Sequence, residues 1–296
     1  EDNQIKIFLE PTRKDFHDPY LMPDMEKAVD RISQAIESKE KVIIYGDYDV
    51  DGITSITVLK KYFHDLGLEV DTYLPNRLDE GYGLNISAID KIIENGTTLI
   101  ITVDCGISAI NEIEYANNKG IEVIVTDHHE CGEVLPNAIA IVNPKIPNTK
   151  YPFAQLAGVG VAFKLIQAIS IKLKLPKESY LKYLDIVCIG TIADIVPLYD
   201  ENRIIAKNGL EALKNTENIN EKYNQVKISE FPASISTMVS LASEGRITLQ
   251  GKYVAINGDD IWHEYKRHKD EAIEVGRRQL PFTPETIKEA IMAIYN

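Results

Sequence analysis

The sequence contains little cysteine and no long apolar stretch. Its three cysteines, Cys105, Cys131 and Cys188, are odd in number and lack the spacing of a zinc site, so we expect a reducing compartment. No stretch approaches the roughly 20 consecutive apolar residues of a membrane-spanning helix, and no charged and then apolar leader precedes the first predicted strand. The predicted location is therefore the cytoplasm, without a membrane partner.

Positive charge is also scarce. The chain has 32 Lys and Arg residues against 45 Asp and Glu, which gives a formal net charge of −13. This balance excludes broad, unfocused binding to nucleic acid, because such binding needs a dominant basic face. It does not exclude a nuclease, because carboxylates that bind metal ions raise the acidic count while the bound cations return positive charge locally.

Runs of Val and Ile alternate with helical periodicity between residues 25 and 214. Continuous apolar strands that alternate with helices predict an α/β fold with a parallel sheet covered on both faces. In such sheets ligands bind at the carboxyl ends of the strands. The predicted strands are 41–46, 69–74, 98–103, 121–126 and 138–142, and the predicted helices are 25–38, 52–66, 85–95, 108–119, 157–173, 180–189 and 202–214.

Three carboxylates, Asp47, Asp49 and Asp51, follow the first predicted strand at alternate positions. If the extended geometry continued past Gly46, all three side chains would point to the same side and converge. Like charges that close repel each other unless a cation holds them. The spacing indicates either a site for a hard divalent ion such as Mg²⁺ or Mn²⁺, or an ordinary Asp-rich surface turn.

Polar residues also follow two other predicted strands. Asp104 comes directly after the third strand, and Asp127, His128 and His129 come directly after the fourth. Because the carboxyl ends of parallel strands share one edge of the sheet, we expect these side chains to gather there with the Asp triplet. A surface turn would need three independent coincidences, so a metal site is the favoured interpretation.

Asp194 is a lone acid among Ile, Ala and Val residues. Because buried carboxylates are rarely left unpaired, it is either a metal ligand or a helix cap, and both alternatives stay open. Beyond residue 214 the pattern weakens. We therefore divide the chain into an N-terminal arm and helix (1–39), a catalytic domain (40–214), and a linker with a small C-terminal region of uncertain fold (215–296).

Seven segments of the chain resemble the DHH family of phosphoesterases, and within it the RecJ branch of 5′→3′ single-strand-specific exonucleases. Oligoribonuclease-type and cyclic-dinucleotide-type members, and the manganese pyrophosphatases, usually open with a histidine-containing version of the first segment, whereas this chain has Asp47. The segments are YGDYDVDGITS (45–55), PNR…EGYGLN (75–85), ITVDCGIS (101–108), VTDHHE (125–130), IVNPK (141–145), LAGVGVAFKL (156–165) and GTIADIVPL (190–198).

The resemblance implies a DHH phosphoesterase fold, a mostly parallel β-sheet flanked by helices with a helical connection to a small C-terminal region. It implies two divalent metal ions, Mn²⁺ or Mg²⁺, with Asp104 as the bridge and Asp194 as a ligand rather than a cap. Asp127 would orient His128, and His129 would face the scissile phosphate. The implied ligands are Asp47, Asp49, Asp51, Asp104, His128 and Asp194.

The implied activity is hydrolysis of single-stranded DNA from its 5′ end to 5′-mononucleotides by a two-metal mechanism, in DNA repair or recombination. Single-stranded DNA is the implied partner, with a single-strand-binding protein or a helicase as further candidates. Basic and aromatic groups near the site are candidates for holding the backbone and stacking the bases. These candidate substrate contacts are Arg77, Tyr82, Asn85, Lys145 and Arg203.

Two parts of the family pattern are not recognisable. The C-terminal DHH-associated domain carries a Gly-rich stretch with a histidine, and this chain has no Gly-Gly pair. The OB-type module that binds single strands is not recognisable either. We therefore expect a catalytic core or a shortened relative. Two alternatives remain, a phosphodiesterase of short RNA or DNA oligonucleotides and a non-catalytic DHH scaffold, although the filled ligand positions argue against the scaffold.

Overall fold

The computed structural model describes residues 11–75 and 83–213. Within these ranges no helix is both long and apolar enough to cross a bilayer. The strands are β1 (Val42–Gly46), β2 (Val70–Tyr73), β3 (Leu99–Val103), β4 (Glu122–Thr126) and β5 (Ala140–Val142). The helices are α1 (Met25–Ser38), α2 (Val50–Asp65), α3 (Ile86–Glu94), α4 (Ile110–Asn118), α5 (Gly158–Lys172), α6 (Glu178–Leu181), α7 (Leu184–Ala193) and α8 (Asp200–Leu213).

The five strands form one parallel sheet in the order β2-β1-β3-β4-β5. Gly46 of β1 is in register with Val103 of β3, and Val103 is in register with Thr126 of β4. The three central strands therefore end at the same level, and the residues that follow them leave the sheet at one edge. The strand order reverses between β1 and β3, which opens a crevice at that point. The predicted parallel α/β fold is confirmed.

The sheet is buried on both faces. Ile44, Ile101 and Ile124 point into a core that they share with α1, α2, α5, α7 and α8. Ile43 and Ile100 point to the opposite face, which α3 and α4 cover. Burial on both faces explains why the strands read as uninterrupted apolar runs. Because α1 contributes to the first core, it packs against the sheet together with the other helices of that face.

Six of the seven predicted helices differ from the structure at one or both ends, and two of these differences have a clear physical cause. The predicted helix 52–66 begins earlier, at Val50, because the Asp49 carboxylate accepts a hydrogen bond from the Gly52 N–H at 2.8 Å and caps it. The predicted helix 180–189 is two helices, α6 and α7. Helix α7 is buried around most of its circumference between α2 and α8. Its sequence therefore lacks the alternation of apolar and polar residues that would mark where the helix begins.

A buried ion pair connects the N-terminal segment to α5 and α8. Lys164 Nζ lies 2.9 Å from Glu201 Oε1, and both side chains are fully buried. Lys164 also donates to the carbonyl oxygen of His17 at 2.6 Å, and the Tyr151 hydroxyl donates to the second oxygen of Glu201. Burial lowers the pKa of Lys164, and the charge of Glu201 opposes that shift. The segment before α1 is thereby fixed to the helical layer.

Candidate metal centre

The side chains predicted from the strand ends do gather at the carboxyl edge of the sheet. Asp47 follows β1, Asp104 follows β3, and Asp127 leads the histidine pair after β4. Asp194 reaches the same place from the C-terminal end of α7, where it occupies the C-cap position. The four carboxylates are each at most 5% exposed, so the cluster is a buried feature and not a surface turn.

The Asp triplet contributes to two groups rather than to one point. Oxygen atoms of Asp47, Asp49 and Asp104 lie within 4.8 Å of one another, whereas Asp51 is grouped at the same limit with His128 and Asp194. The expected single convergence relied on extended geometry, but the chain leaves the strand at Gly46 and is helical from Val50. The helix turns Asp51 toward α7, and the result is two adjacent candidate positions for cations.

Asp104 lies between these two groups. Its Oδ1 atom is 3.0 Å from His128 Nε2 and 4.0 Å from His129 Nδ1, and the three residues form a further candidate group. Its backbone has φ 57°, in the left-handed region that a non-glycine residue rarely adopts. Such strained positions concentrate at functional sites. Asp104 therefore contacts members of both groups, and the bridging role that the resemblance implies stays a prediction.

The electrostatics of the cluster fit a bound cation. Burial, and then the charges of Asp51, Asp49, Asp47 and Asp194, raise the pKa of Asp104 well above its usual range. Within the described part of the chain, Asp104 Oδ1 accepts no hydrogen bond of normal geometry. Buried like charges are costly unless a cation compensates them. Carboxylate oxygens make up most of this donor set, and such oxygens suit Mn²⁺ or Mg²⁺.

Asp127 contacts the ring of His129 rather than that of His128. Its Oδ1 atom lies 2.7 Å from His129 Nδ1 and accepts the backbone N–H of His128 at 2.7 Å, while Oδ2 accepts the N–H of Ile107 at 2.9 Å. Burial raises the pKa of Asp127, but the His129 hydrogen bond and the two imidazole charges outweigh it and hold the pKa at about 2. The ring of His128 instead has Nδ1 3.1 Å from the carbonyl oxygen of Leu156.

Asn143 is a residue whose role the sequence did not reveal, although it stands in the IVNPK segment. It is fully buried after β5, and its Nδ2 donates to the carbonyl oxygen of His129 at 3.0 Å. Its Oδ1 accepts the backbone N–H of Lys145 at 2.8 Å. One amide side chain therefore fixes the backbone of both residues, and only the fold shows that β5 ends beside β4.

Replacing Asn143 with aspartate should disturb this link. The change keeps the shape but removes the donor to His129 and places a carboxylate oxygen against a carbonyl oxygen, so we expect the free energy of unfolding to fall by about 1–3 kcal/mol. Urea denaturation would measure it. Asn148→Asp, at an exposed position on the same loop, is the matched control. Equal stability of the two variants would contradict the assignment.

The structure describes three of the five predicted substrate contacts. Arg77 and Tyr82 lie outside the described residues. Asn85 caps α3, where its Oδ1 accepts the Ala88 N–H at 2.8 Å, and it donates to the Tyr45 hydroxyl at 3.2 Å. These bonds give Asn85 a structural role, which the sequence did not anticipate.

The two remaining predicted contacts differ in exposure. Lys145 is partly exposed and lies 3.2 Å from Glu130, so its ammonium group is within reach of the solvent. Arg203 is only 2% exposed within α8, and burial lowers the pKa of its guanidinium group. The prediction of Arg203 as a surface group for a DNA backbone is not supported by this buried position.

The model of the DHH family, N-terminal domain, matches residues 41–191. The chain is 51% identical over 217 residues to the single-stranded-DNA-specific exonuclease RecJ of Bacillus subtilis (strain 168), covering 73% of this chain and 27% of that protein. It is 40% identical over 214 residues to the enzyme of the same name from Haemophilus influenzae, covering 70% of this chain and 37% of that protein. The chain thus spans between about a quarter and two fifths of these curated relatives.

Two solved structures are similar to this chain in fold. A crystal structure of exonuclease RecJ bound to manganese is similar with a TM-score of 0.60 at 27% identity, over 93% of this chain and 65% of that one. RecJ from Thermus thermophilus in complex with Mn²⁺ gives a TM-score of 0.59 at 25% identity, over 93% of this chain and 37% of that one. The matched segment contains the five strands and most of the candidate ligands, so the chain belongs to the DHH family.

Proposed function

We propose that this chain is the catalytic core of a metal-dependent exonuclease that hydrolyses single-stranded DNA from the 5′ end to 5′-mononucleotides, in DNA repair or recombination. The observation that carries the proposal is the buried group of carboxylates and imidazoles centred on Asp104. The names of the relatives support the substrate class, and the crystal structures of RecJ with manganese support the metal.

The two groups of side chains would each hold one ion. Asp47 and Asp49 would serve the first, Asp51, His128 and Asp194 the second, and Asp104 both. Two divalent cations, Mn²⁺ or Mg²⁺, supply water activation and neutralisation of charge at the phosphate. The carbonyl oxygen of Leu156 beside His128 Nδ1 fixes the tautomer that leaves Nε2 to act as the ligand.

His129 is the residue that we assign to the scissile phosphate. Its side chain is 28% exposed, whereas His128 is 9% exposed, so His129 lies closer to the solvent. Its Nδ1 is engaged by Asp127, which directs Nε2 to the substrate. A hydrogen bond donated from that nitrogen would stabilise negative charge that develops on the phosphate oxygens. Asp127 therefore orients His129, and not His128 as the resemblance had implied.

His129→Gln should lower kcat about 10²–10³-fold, because a positioned acid that stabilises the reacting phosphate contributes that much. The KM for DNA should change little, and Mn²⁺ binding should persist because His129 is not one of the assigned ligands. Single-turnover cleavage and calorimetry would measure the two quantities. His64→Gln, at an exposed position in α2, is the matched control. Loss of metal binding in H129Q would show that His129 is itself a ligand.

The proposed substrate arrives as a free single strand. A helicase or a single-strand-binding protein would supply such strands in the cytoplasm, where we place the protein. The net charge of −13 favours a second candidate, a phosphodiesterase of short oligonucleotides, because an acidic surface repels long polyanions.

End-labelled digestion in Mn²⁺ separates the candidates. A single-stranded DNA of about 30 nucleotides labelled at either end, a matched RNA and a short oligomer are compared, with calorimetric Mn²⁺ binding alongside. Immediate release of label from the 5′ end of the DNA would support the exonuclease. Cleavage of the short oligomer alone would favour the second candidate. Absence of stoichiometric Mn²⁺ binding with no cleavage would indicate a non-catalytic scaffold and overturn both.

A further inference from the structure

The N-terminal end of α5 contacts the candidate metal centre directly. The backbone N–H of Gly158 donates to Asp51 Oδ2 at 2.6 Å, and the N–H of Val159 donates to Asp51 Oδ1 at 2.7 Å. First-turn amides have no partner within their own helix, and the helix dipole favours a negative group at this end. Both oxygens of one carboxylate are therefore held by a helix that lies far along the chain from Asp51.

Gly158 also lies against the carboxylate of Asp104. A Cβ atom at position 158 would be 2.7 Å from both Cβ and Oδ1 of Asp104, which is closer than real Cβ atoms come to any neighbour. Gly158 is not in the left-handed region, so space and not backbone conformation explains the glycine. Asp104 cannot simply rotate away, because its backbone is already strained and its Oδ1 faces His128.

Helix α5 is itself fixed in position along its length. Lys164, about two turns beyond Gly158, forms the buried pair with Glu201 of α8. Val159 packs in the same buried core as α2 and α7. The amides that hold Asp51 thus belong to a rigid element, which is the property that a group positioning a ligand needs.

We propose that the N-terminus of α5 positions two ligands of the metal centre. The backbone amides of Gly158 and Val159 orient Asp51, and the absence of a side chain at Gly158 leaves the space that the Asp104 carboxylate occupies. This proposal rests on the proposed function, because it assumes that the carboxylate cluster binds divalent ions. This role explains the first glycine of the LAGVGVAFKL segment. Gly158 is a positioning residue, since it acts through two carboxylates.

The test compares Gly158→Ala with Gly160→Ala. Both changes add one methyl group to the first turn of the same helix, but the atoms nearest to a Cβ at Gly160 would belong to the Leu156 side chain, at 3.1 Å or more, and not to a carboxylate. Calorimetry with Mn²⁺ should show binding weakened about 10–100-fold in G158A and unchanged in G160A, because outer groups that orient ligands have effects of this size. The Mn²⁺ concentration for half-maximal cleavage should rise in parallel. Equal Mn²⁺ affinity in G158A and wild type would overturn the proposal.

A second measurement does not depend on how G158A folds. In the wild-type protein the amide protons of Gly158 and Val159 should exchange slowly with solvent, and Asp51→Ala should accelerate their exchange about tenfold or more while Leu165 is unaffected. Fast exchange in the wild type, or exchange unaffected by D51A, would overturn the role of the amides. If the wild type binds no Mn²⁺ but this protection is found, the proposed function fails while the contact itself stands.

Discussion

Asp104→Asn is expected, under the proposed function, to reduce cleavage of single-stranded DNA at least about a thousandfold, since losing a ligand shared by two cations would remove several kcal/mol of stabilisation from the transition state. The substitution keeps the shape of the side chain and should leave the strained turn after β3 intact. Asp71→Asn, at an exposed position in β2, makes the same chemical change away from the site and should retain full activity.

The same substitution should stabilise the metal-free protein. Because the pKa of Asp104 is raised in the folded state, the unfolded chain releases this proton at lower pH than the folded chain does. The free energy of unfolding therefore falls as pH rises above the usual range of an aspartate, and the uncharged amide of the D104N variant would abolish that loss. In EDTA at pH 7 we expect a higher Tm for the variant than for the wild type, with the difference vanishing at strongly acidic pH.

Adding Mn²⁺ should reverse this order. The wild type gains stability from the ions that its folded state binds, and the variant gains less. Thermal denaturation with and without Mn²⁺ is the measurement, and D71N should follow the wild type in both conditions. A variant that is less stable than the wild type in EDTA would contradict the electrostatic account of Asp104, whatever its activity.

Lys164→Met is expected to lower the free energy of unfolding by about 3–5 kcal/mol, because it leaves the Glu201 carboxylate buried without its cationic partner. The methionine fills a similar volume, so packing around Phe16 and Tyr151 should change little. Lys172→Met removes an exposed lysine from the same helix and should have little effect. Urea denaturation of the three proteins would measure the difference.

Glu201→Gln should rescue part of this loss. In the double variant neither member of this pair leaves a buried charge, so the variant should be at least about 1 kcal/mol more stable than K164M alone. The Tyr151 hydroxyl can still donate to the amide oxygen. If instead the double variant is less stable than K164M, the cost comes from lost packing or hydrogen bonds and not from the unpaired carboxylate.

The sequence predicts those parts of the site that lie next to a strand end. Asp47, Asp104 and the residues from Asp127 to His129 follow recognisable apolar runs, and the rule for parallel sheets brings them together. The residues around Asp194 alone do not distinguish a metal ligand from a helix cap, because the position of this side chain depends on how α7 packs. The pairing of Lys164 with Glu201 could not be predicted, since no local pattern relates residues on two helices that are distant in the sequence.

Errors arose where local geometry changes within a few residues. The Asp triplet was expected to follow strand alternation, but the cap at Asp49 starts a helix and sends Asp51 to a different group of ligands. The boundary between α6 and α7 was missed because an apolar helix surrounded by other helices has no polar face to mark its ends. The partner of Asp127 depends on side-chain rotation, which a sequence pattern does not encode.

The span of the ligands along the chain, from Asp47 to Asp194, has a consequence for biosynthesis. A nascent chain that has left the ribosome only as far as β5 already carries the Asp triplet, Asp104 and both histidines, yet it lacks α5 to hold Asp51 and α7 to deliver Asp194. Domains fold as units once their last elements emerge. Under the proposed function, a product truncated before α7 would therefore lack Asp194 and with it a complete metal centre.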